Sequence, residues 1–573
     1  MSNLKKLFEN ISNKLFDFEE VTYDNTLPEN SNSINPEIEN VSKKVLENAN
    51  KYVYPSIDVN LEYLKVKYNT LINSDIVIRE FLLTARNKEY RAFLLYIDGM
   101  VDSKIINDFI LNPLMLRNRA NSYDGDQNRI ISEAVTNNIT VRKVRKFNTV
   151  DYIYNSLLPQ NSVKKIKEFE SIISSVNSGN CALFIDTLDI AFDIEVKGFK
   201  QRSISAPNNE VVIRGPQEAF TEVIRTNTSL IRRIVNNEDL VIENIELGSL
   251  SKTKCAVCYM KSIANDELVA EVKNRLHNIK VDYLISSGQL EQLIEDNGKI
   301  NLPQMIATER PDRAASSLLD GRIVVIVNGS PYVLIMPGVF IDFMFSPEDK
   351  NLKYQFANFA KFLRIIAFII TLLLPGFYIA ITNFHQEAIP TELLFAIVAS
   401  RAAVPFPIIF ELIVMELSFE LIREASLRVP SPIGPTMGIV GALVLGQAAV
   451  DASIVSPILI IIVAITGICS FAIPDFSLSF HCRIMRFIYI IMGYLIGFLG
   501  IAIVLFLHLA LLLTMKSFGV PYLQPYLPFK SFNNKGLFNS PAWNREYRSS
   551  FLNSKKPKQQ ENISIPWKFP NKN

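Results

Sequence analysis

The sequence predicts an α/β cytoplasmic region of two related subdomains, followed by a multi-pass α-helical membrane domain. In about the first 350 residues, short apolar runs typical of strands alternate with amphipathic helical segments. Residues 253–276 repeat the strand, turn and helix order of residues 90–113, which indicates an internal duplication. After residue 362, several apolar stretches are long enough to cross a bilayer. The hydrophobic content of 49% is therefore an average over a less apolar N-terminal region and a more apolar C-terminal one.

Charge and cysteine usage narrow the function classes. The 59 Lys and Arg against 57 Asp and Glu leave a net charge of +2, and no basic stripe with interleaved aromatics predicts nucleic-acid binding. The N-terminus is charged throughout, unlike a secretory signal, so we expect the N-terminal region to stay in the cytoplasm. Five scattered cysteines are typical of a reducing compartment, and we expect no disulfides.

The part of the sequence before the long apolar stretches divides into segments where its composition and hydrophobic periodicity change. Residues 1–60 are predicted to be a disordered or weakly helical extension, because polar residues outnumber aliphatic ones. Residues 61–200 and 241–350 are the two α/β subdomains, and Asn328-Gly329 predicts a hairpin near the end of the second. Residues 201–240 are a linker with an amphipathic helix that we expect to begin at Pro216 and to pack between the subdomains.

Residues 362–515 are predicted to form the helical membrane domain with roughly four to six membrane segments, followed by a C-terminal tail, 516–573. Pro405 and Pro407 interrupt its second apolar stretch, which predicts a discontinuous or re-entrant element. Residues 418–432 are amphipathic and we expect them to lie along the cytoplasmic interface. The last apolar run, 484–515, is long for one span and short for two, so its path stays open.

Small residues predict close helix packing in two places. In residues 433–450, Gly438, Ala442 and Gly446 recur at every fourth position and line one helical face. Gly493 and Gly497 form a GxxxG pair in the last apolar run. The first stretch has two interpretations: helix packing alone, or a pore helix whose gate is formed by four other side chains, Val440, Leu443, Val444 and Gln447.

Charges within the apolar region are the next candidates. Arg401, Glu411 and Glu416 lie beside or within broken helix, where an unpaired charge at the bilayer centre costs a few kcal/mol. They either line a polar pathway or gate, or they have structural roles, with Arg401 reaching the headgroups and the carboxylates lying at the interface. His508, in an apolar run, is predicted to be a helix-contact residue rather than a proton relay.

Catalysis has little support, so we expect no enzymatic activity, cofactor or metal. The sequence contains no nucleophile elbow, Walker loop or HExxH motif. Cys255 and Cys258 have the spacing of metal ligands, but they lie in a predicted strand without a second pair. A buried structural role is the favoured interpretation.

Many ordered blocks together resemble the A subunit of spore nutrient-germinant receptors, the GerA family, over residues 60–525. The blocks are VVIRGPQEAFTEVIRTNTSLIRRIV, SKTKCAVCYMKSIANDELVAEV, TERPDRAASSLLDGRIVVIVNGSPYVLIMP, IPTELL, VPFP, FELIREASLRVP and IVGALVLGQAAVDASIVSPILIIIVAITGI. The resemblance implies residence in the spore inner membrane, contact with membrane lipid, and a complex with a permease-like B subunit and a lipoprotein C subunit. It also implies a homo-oligomeric, nutrient-gated ion channel that releases monovalent cations and triggers germination. A secondary transporter of ions or amino acids and a scaffold for other germination proteins are the alternatives.

Overall fold

The computed structural model describes residues 51–85, 88–115, 149–198, 207, 209–428, 446–527, 538, 540–541 and 545–559. Most of the predicted N-terminal extension therefore lies outside the described residues. So do five of the residues predicted for helix packing or the gate: Gly438, Val440, Ala442, Leu443 and Val444.

The first subdomain is a five-stranded antiparallel sheet with an apolar core on each face. Its strands lie in the order β1-β2-β4-β5-β3. Leu94 and Phe93, adjacent on β2, point into different cores, which explains why the strand reads as a continuous apolar run. The elements are α1 (Ile57–Lys67), β1 (Ile76–Ala85), β2 (Lys88–Ile97), α2 (Ser103–Ile106, a π-turn Asn107–Leu111, and Asn112–Met115), α3 (Thr149–Tyr152 with a π-turn Ile153–Leu157), β3 (Val163–Ile166), α4 (Phe169–Asn177), β4 (Cys181–Ile185) and β5 (Ala191–Ile194).

The second subdomain repeats this topology. Its sheet has the order β6-β7-β9-β10-β8, again with antiparallel pairs, so the predicted relationship between the two units is present in the strand order. Asn328 and Gly329 lie in the turn between β9 and β10, where Gly329 has a φ of 91°. The elements are β6 (Leu240–Leu247), β7 (Thr253–Met260), α6 (Asp266–His277), α7 (Ser287–Ile294), β8 (Ile306–Thr308), α8 (Pro311–Asp320), β9 (Ile323–Val327) and β10 (Val333–Met336); in the chain they follow α5 (Ile224–Ile234).

The linker helix α5 begins later than predicted. The expectation of a start at Pro216 is wrong, because residues 216–220 run along the second subdomain instead. The Pro216 carbonyl accepts a hydrogen bond from Nη2 of Arg310 at 2.8 Å, and the Phe220 N–H donates to the Glu309 carbonyl at 2.7 Å. These tertiary bonds override the local helix-start signal.

Helix α5 also joins the two subdomains. Ser229 donates to the Gly99 carbonyl of the first at 3.0 Å, while Leu230 packs in a core of the second. Beside it, the side-chain oxygen of Asn73 accepts from the Ile242 N–H on β6 at 2.8 Å. The Ser74 N–H donates to the Ile242 carbonyl at 3.1 Å, so residues before β1 cover the edge of the second sheet.

A short helix α9 (Phe340–Phe343) leads into the helical domain. Its helices are α10 (Tyr354–Phe384), α11 (Thr391–Arg401), α12 (Ile408–Arg428), α13 (Pro457–Phe471), α14 (Phe476–Ile496) and α15 (Phe498–Thr514). Among the described residues, α10 and α14 are long and apolar enough to cross a membrane, and α13 and α15 are shorter apolar helices. The total of four to six membrane segments stays a prediction.

The structure defines the path of two elements of this domain. Residues 418–428 of the predicted link form the last part of α12, and Glu420 there pairs with Arg486 of α14. The position of this segment at the cytoplasmic interface stays a prediction. The last apolar run divides at Gly497, which has a φ of 71°. Since α15 then returns along α14, the run forms an antiparallel hairpin rather than one long span.

The chain returns to the second subdomain after α15. A small hairpin of β11 (Lys516–Ser517) and β12 (Val520–Pro521) docks there, with Ser517 donating to the Gln304 carbonyl at 2.6 Å. Farther along, the Lys555 N–H donates to the Ile263 carbonyl at 2.9 Å. The described tail and the α/β region therefore lie at the same end of the helical domain.

Candidate functional site in the helical domain

A buried cluster of charges joins α12 and α14. Glu416 and Glu420 are one turn apart on α12 and face Arg483 and Arg486 on α14. Nη2 of Arg486 lies 2.8 Å from Oε2 of Glu416 and 3.0 Å from Oε1 of Glu420, and Nη1 of Arg483 lies 3.2 Å from Oε2 of Glu420. The side chains of Glu416 and Arg486 are 0% exposed. Burial of this kind is tolerated because each charge meets an opposite one.

A third guanidinium, that of Arg423, completes the cluster on the α13 side. It donates a short hydrogen bond to the Ser470 hydroxyl and lies 4.0 Å from the ring centroid of Phe471. The face of an aromatic ring attracts a cation, so Phe471 helps to stabilise this charge beside the carboxylates of the cluster. The cluster thus ties three helices together near the end that carries the α/β region.

The interruption between α11 and α12 contains both Pro405 and Pro407. Across it, Nη2 of Arg401 lies 3.3 Å from Oε1 of Glu411, and the other oxygen of Glu411 accepts from the Ser456 N–H at 3.1 Å. Ser456 precedes α13, where the helix dipole favours a negative charge. Glu411 is buried while Arg401 is partly exposed, so this arrangement is compatible with a polar pathway and with a structural anchor.

A chain of polar groups enters the helical hairpin from the second subdomain. The Nδ1 atom of His481 lies 2.6 Å from Oδ1 of Asn301, and the two Nε2 atoms of His481 and His508 are 3.1 Å apart. The Tyr489 hydroxyl lies 3.3 Å from Nδ1 of His508. One proton arrangement satisfies all three bonds with neutral rings: Tyr489 donates to His508, His508 to His481, and His481 to Asn301.

Only the end of the predicted pore helix is described, as residues 446–451. Gly446 is buried, and a Cβ there would lie 3.7 Å from Ile460 of α13, an ordinary contact. Gln447 is exposed, and its amide donates to Oδ1 of Asp451 at 3.1 Å. The gate prediction for the remaining side chains stays untested.

The two glycines of the last apolar run have different positions. Gly493 lies against α10, and a Cβ there would be 2.7 Å from the Gly376 carbonyl oxygen. Gly497 lies between α14 and α15, where a Cβ would be 3.2 Å from the Phe384 side chain. The close approach of α10 and α14 therefore depends on Gly493 and Gly376, whereas Gly497 makes the turn.

Sequence reasoning missed the charge cluster and the histidine pair. Arg483, Arg486 and His481 belong to no motif in the sequence, and the sequence predicts for His508 only a contact with another helix. One available signal was the spacing of three charges on α12, Glu416, Glu420 and Arg423, which places them on one helical face. This spacing predicts that another helix of the same domain packs on this face and carries charged side chains opposite to it.

Cys255 and Cys258 occupy opposite faces of β7, one in each core of the second subdomain. Side chains three positions apart on a strand must diverge in this way, so the pair cannot chelate one ion. Burial raises the pKa of both thiols to about 12, which keeps them protonated. Among the described residues, no group of three His, Cys, Asp or Glu side chains could hold a metal.

The arrangement of a duplicated α/β region on an apolar helical domain agrees with a family match. Residues 62–551 match the model of the Bacillus/Clostridium GerA spore germination protein family. The chain belongs to the GerA family. It is 39% identical to Spore germination protein KA of Bacillus subtilis (strain 168) over 87% of this chain and 86% of that one.

Other proteins and one solved structure are also similar to this chain. Spore germination protein A1 of the same organism is 38% identical over 73% of this chain and 87% of that one. The Uncharacterized membrane protein YfkQ is 35% identical over 87% and 92%. The N-terminal domain of the A subunit of the Bacillus megaterium spore germinant receptor GerK3 is 31% identical, covers 50% of this chain and 97% of its own, and gives a TM-score of 0.35.

Proposed function

We propose that this chain is the A subunit of a nutrient-germinant receptor in the spore inner membrane. Copies of it would form a nutrient-gated channel that releases monovalent cations and triggers germination. The α/β region and the tail would lie in the cytoplasm, and the role would be non-enzymatic. Family membership supports the receptor role, and the observation that carries the channel is the exposed pair of Gln447 and Asp451.

This pair lies on the outer side of an otherwise apolar element. Residues 446–451 are helical, and Ala449 and Val450 pack in the same apolar cluster as Tyr378 of α10. Gln447 and Asp451, one turn apart, are exposed in the single chain. In a bilayer an exposed carboxylate costs a few kcal/mol unless it meets water or protein. Copies arranged around an axis would give these side chains a wet, cation-attracting path.

Gating of the channel would begin with nutrient binding to a partner subunit. In the proposed complex the permease-like B subunit binds the nutrient and the lipoprotein C subunit accompanies it. To open the channel, the nutrient has to bind the two states with different affinity. The contacts of Asn301 with His481 and of Gln304 with Ser517 support a route from the α/β region to the last helical hairpin.

The channel is tested in liposomes that contain the purified protein, alone and with both partner subunits. We expect passive, non-saturating cation conductance and a lower preference for cations over anions in Asp451→Asn. Glu392→Gln removes the same charge from an exposed position on α11 and serves as the matched control. Equal selectivity in both variants would remove Asp451 from the pathway.

Two further measurements test the predicted pore gate and the number of chains in the oligomer. Val440→Ala and Val444→Ala should give ion leak without nutrient, because smaller side chains make an apolar constriction easier to wet. Unchanged leak in the single and double variants would count against the gate. Native mass spectrometry of the membrane-extracted complex should find several copies of this chain. A single copy per complex would exclude a ring-shaped pore.

A secondary transporter is the second candidate, favoured by the interrupted helix beside Arg401 and Glu411. The same liposomes distinguish the two, since a carrier gives saturable accumulation of substrate coupled to an ion gradient. A scaffold that only anchors other germination proteins predicts neither conductance nor accumulation.

A further inference from the structure

Two buried histidines join the last two helices close to the second subdomain. The Nε2 atoms of His481 on α14 and His508 on α15 are 3.1 Å apart, and the two residues are 2% and 6% exposed. We propose that this pair, here called the histidine clasp, is a proton-sensitive switch. It holds α14 and α15 together while both rings are neutral and releases them when the rings take up protons.

The bond between the two rings depends on how many protons they carry. A neutral imidazole has one N–H and one acceptor nitrogen, so two facing Nε2 atoms bond only if one donates and the other accepts. The Nδ1 atom of His481 lies 2.6 Å from Oδ1 of Asn301, which is an acceptor. The proton of His481 therefore stays on Nδ1, and its Nε2 accepts from His508. A second proton on His481 would place two N–H groups face to face and break the bond between the rings.

The hydrogen bonds alone would tolerate one added proton, at Nδ1 of His508. That atom lies 3.3 Å from the Tyr489 hydroxyl, which can turn and accept instead of donating. The pair would then be cationic, and a buried charge without an opposite charge is strongly unfavourable. Among the described residues, neither imidazole forms an ion pair with a carboxylate. Either proton therefore favours a state in which the rings reach water.

The elements around the clasp supply no spare counter-charge. His508 is the one ionisable side chain of α15, and residues 365–377 of α10, which packs beside α14, have none. The other ionisable groups on the surrounding elements are neutral thiol or phenol groups, exposed cations, or charges that already have partners: Cys482, Tyr489 and Tyr522; Lys299 and Lys516; Asp296 with Arg275, Asp475 with the Leu478 N–H, and Arg483 and Arg486 with Glu416 and Glu420. A protonated ring would stay uncompensated while the clasp is closed.

Protons have a route to the clasp from solvent. Asn301, in the loop before β8, is exposed, and its side chain contacts His481 directly. Once released into water, an imidazole binds a proton below about pH 6.5. The open state then holds protons that the closed state does not, so acid favours opening. The ratio of open to closed clasp should rise about tenfold per pH unit below that value for each proton bound.

The test is hydrogen exchange of the full-length protein in lipid nanodiscs between about pH 5 and about pH 8, corrected for the intrinsic effect of pH on amide exchange. The amides to follow surround the two histidines on α14 and α15. His508→Gln keeps a polar side chain that cannot take up a proton. Asn301→Asp places a carboxylate beside Nδ1 of His481 and gives a protonated ring its counter-charge. His277→Gln removes an exposed histidine at the end of α6 and is the control.

We expect corrected exchange rates about thirtyfold higher at about pH 5 than at about pH 8 in the wild type and the control, which is the effect of one proton over about 1.5 pH units. In His508→Gln and Asn301→Asp the rise should be less than about threefold. Other titrating groups act on all four proteins alike, so the comparison isolates the clasp.

The proposal is overturned if the wild type shows no such rise, if His277→Gln abolishes it, or if either clasp variant rises as the wild type does. Fast exchange of His508→Gln at every pH would mean that this variant does not fold, and Asn301→Asp then decides alone. The channel proposal is unaffected by a failure here, because no conductance is measured.

Discussion

Nη2 of Arg486 on α14 lies 2.8 Å from Oε2 of Glu416 on α12, and both side chains are fully buried. The same nitrogen donates to Oε1 of Glu420 at 3.0 Å, a residue 66 positions away in the chain. One guanidinium therefore compensates two carboxylates between the helices. The helical domain depends on opposite charges remaining together as well as on apolar packing.

Removing this guanidinium should destabilise the protein strongly. In Arg486→Met, Glu416 loses its buried counter-charge, and we expect a loss of about 3–5 kcal/mol in the free energy of unfolding. The melting temperature of the purified protein in detergent measures it. Lys516→Met, which removes an exposed cation just after α15, is the control and should change little. Glu416→Gln combined with Arg486→Met should recover part of the loss, and a double variant no better than the single one would contradict the pairing.

The contact of α10 with α14 should not tolerate a methyl group. In Gly493→Ala the new Cβ would lie 2.7 Å from the Gly376 carbonyl oxygen, a backbone atom, so the helices must separate at a cost of about 1–3 kcal/mol. Gly446→Ala places its Cβ at an ordinary 3.7 Å from Ile460 and should melt near the wild-type temperature. Equal melting temperatures for the two variants would refute this close approach.

The two α/β subdomains should come apart when Asp75 loses its charge. Asp75 accepts from Nε of Arg232 at 2.8 Å and from Nη2 at 2.9 Å, and Arg232 is buried. Asp75→Asn should cost about 3 kcal/mol. The bridge from Asp98 to Arg225, on the same helix α5, is largely exposed, so Asp98→Asn should cost less than about 1 kcal/mol. Hydrogen exchange at the Ile242 amide should rise in the first variant only.

Stability should fall as the pH rises toward neutrality, and Glu291 is one cause. Burial, followed by the neighbouring charges of Glu295 and Asp475, raises its pKa to about 7 from an ordinary 4.5. The folded protein thus keeps a proton that the unfolded chain releases between these values, and its stability decreases with pH across that window. Glu291→Gln should show a smaller drop in melting temperature between about pH 5 and about pH 8. Glu246→Gln, an exposed change on β6, should keep the wild-type slope; a parallel slope in Glu291→Gln would rule the group out.

Several elements were predictable because their signals are local. The turn at Asn328 and Gly329 follows from the backbone preferences of those two residues, and most of α10 follows from its length and apolarity. The duplicated strand and helix pattern also anticipated two sheets of identical order. Pro216 shows where local reasoning fails, since hydrogen bonds to Glu309 and Arg310 hold that segment outside the helix.

The sequence by itself determined the family, the two α/β units, the apolar helices and the break at Pro405 and Pro407. The tertiary structure alone decided which charges meet, as Arg486 and Glu416 do, and that the run through Gly497 folds back. Periodicity places a residue on a face of its own helix, but it does not specify the face opposite. Partners far apart in the chain are selected by how whole helices pack, where a single glycine or buried charge alters many contacts at once.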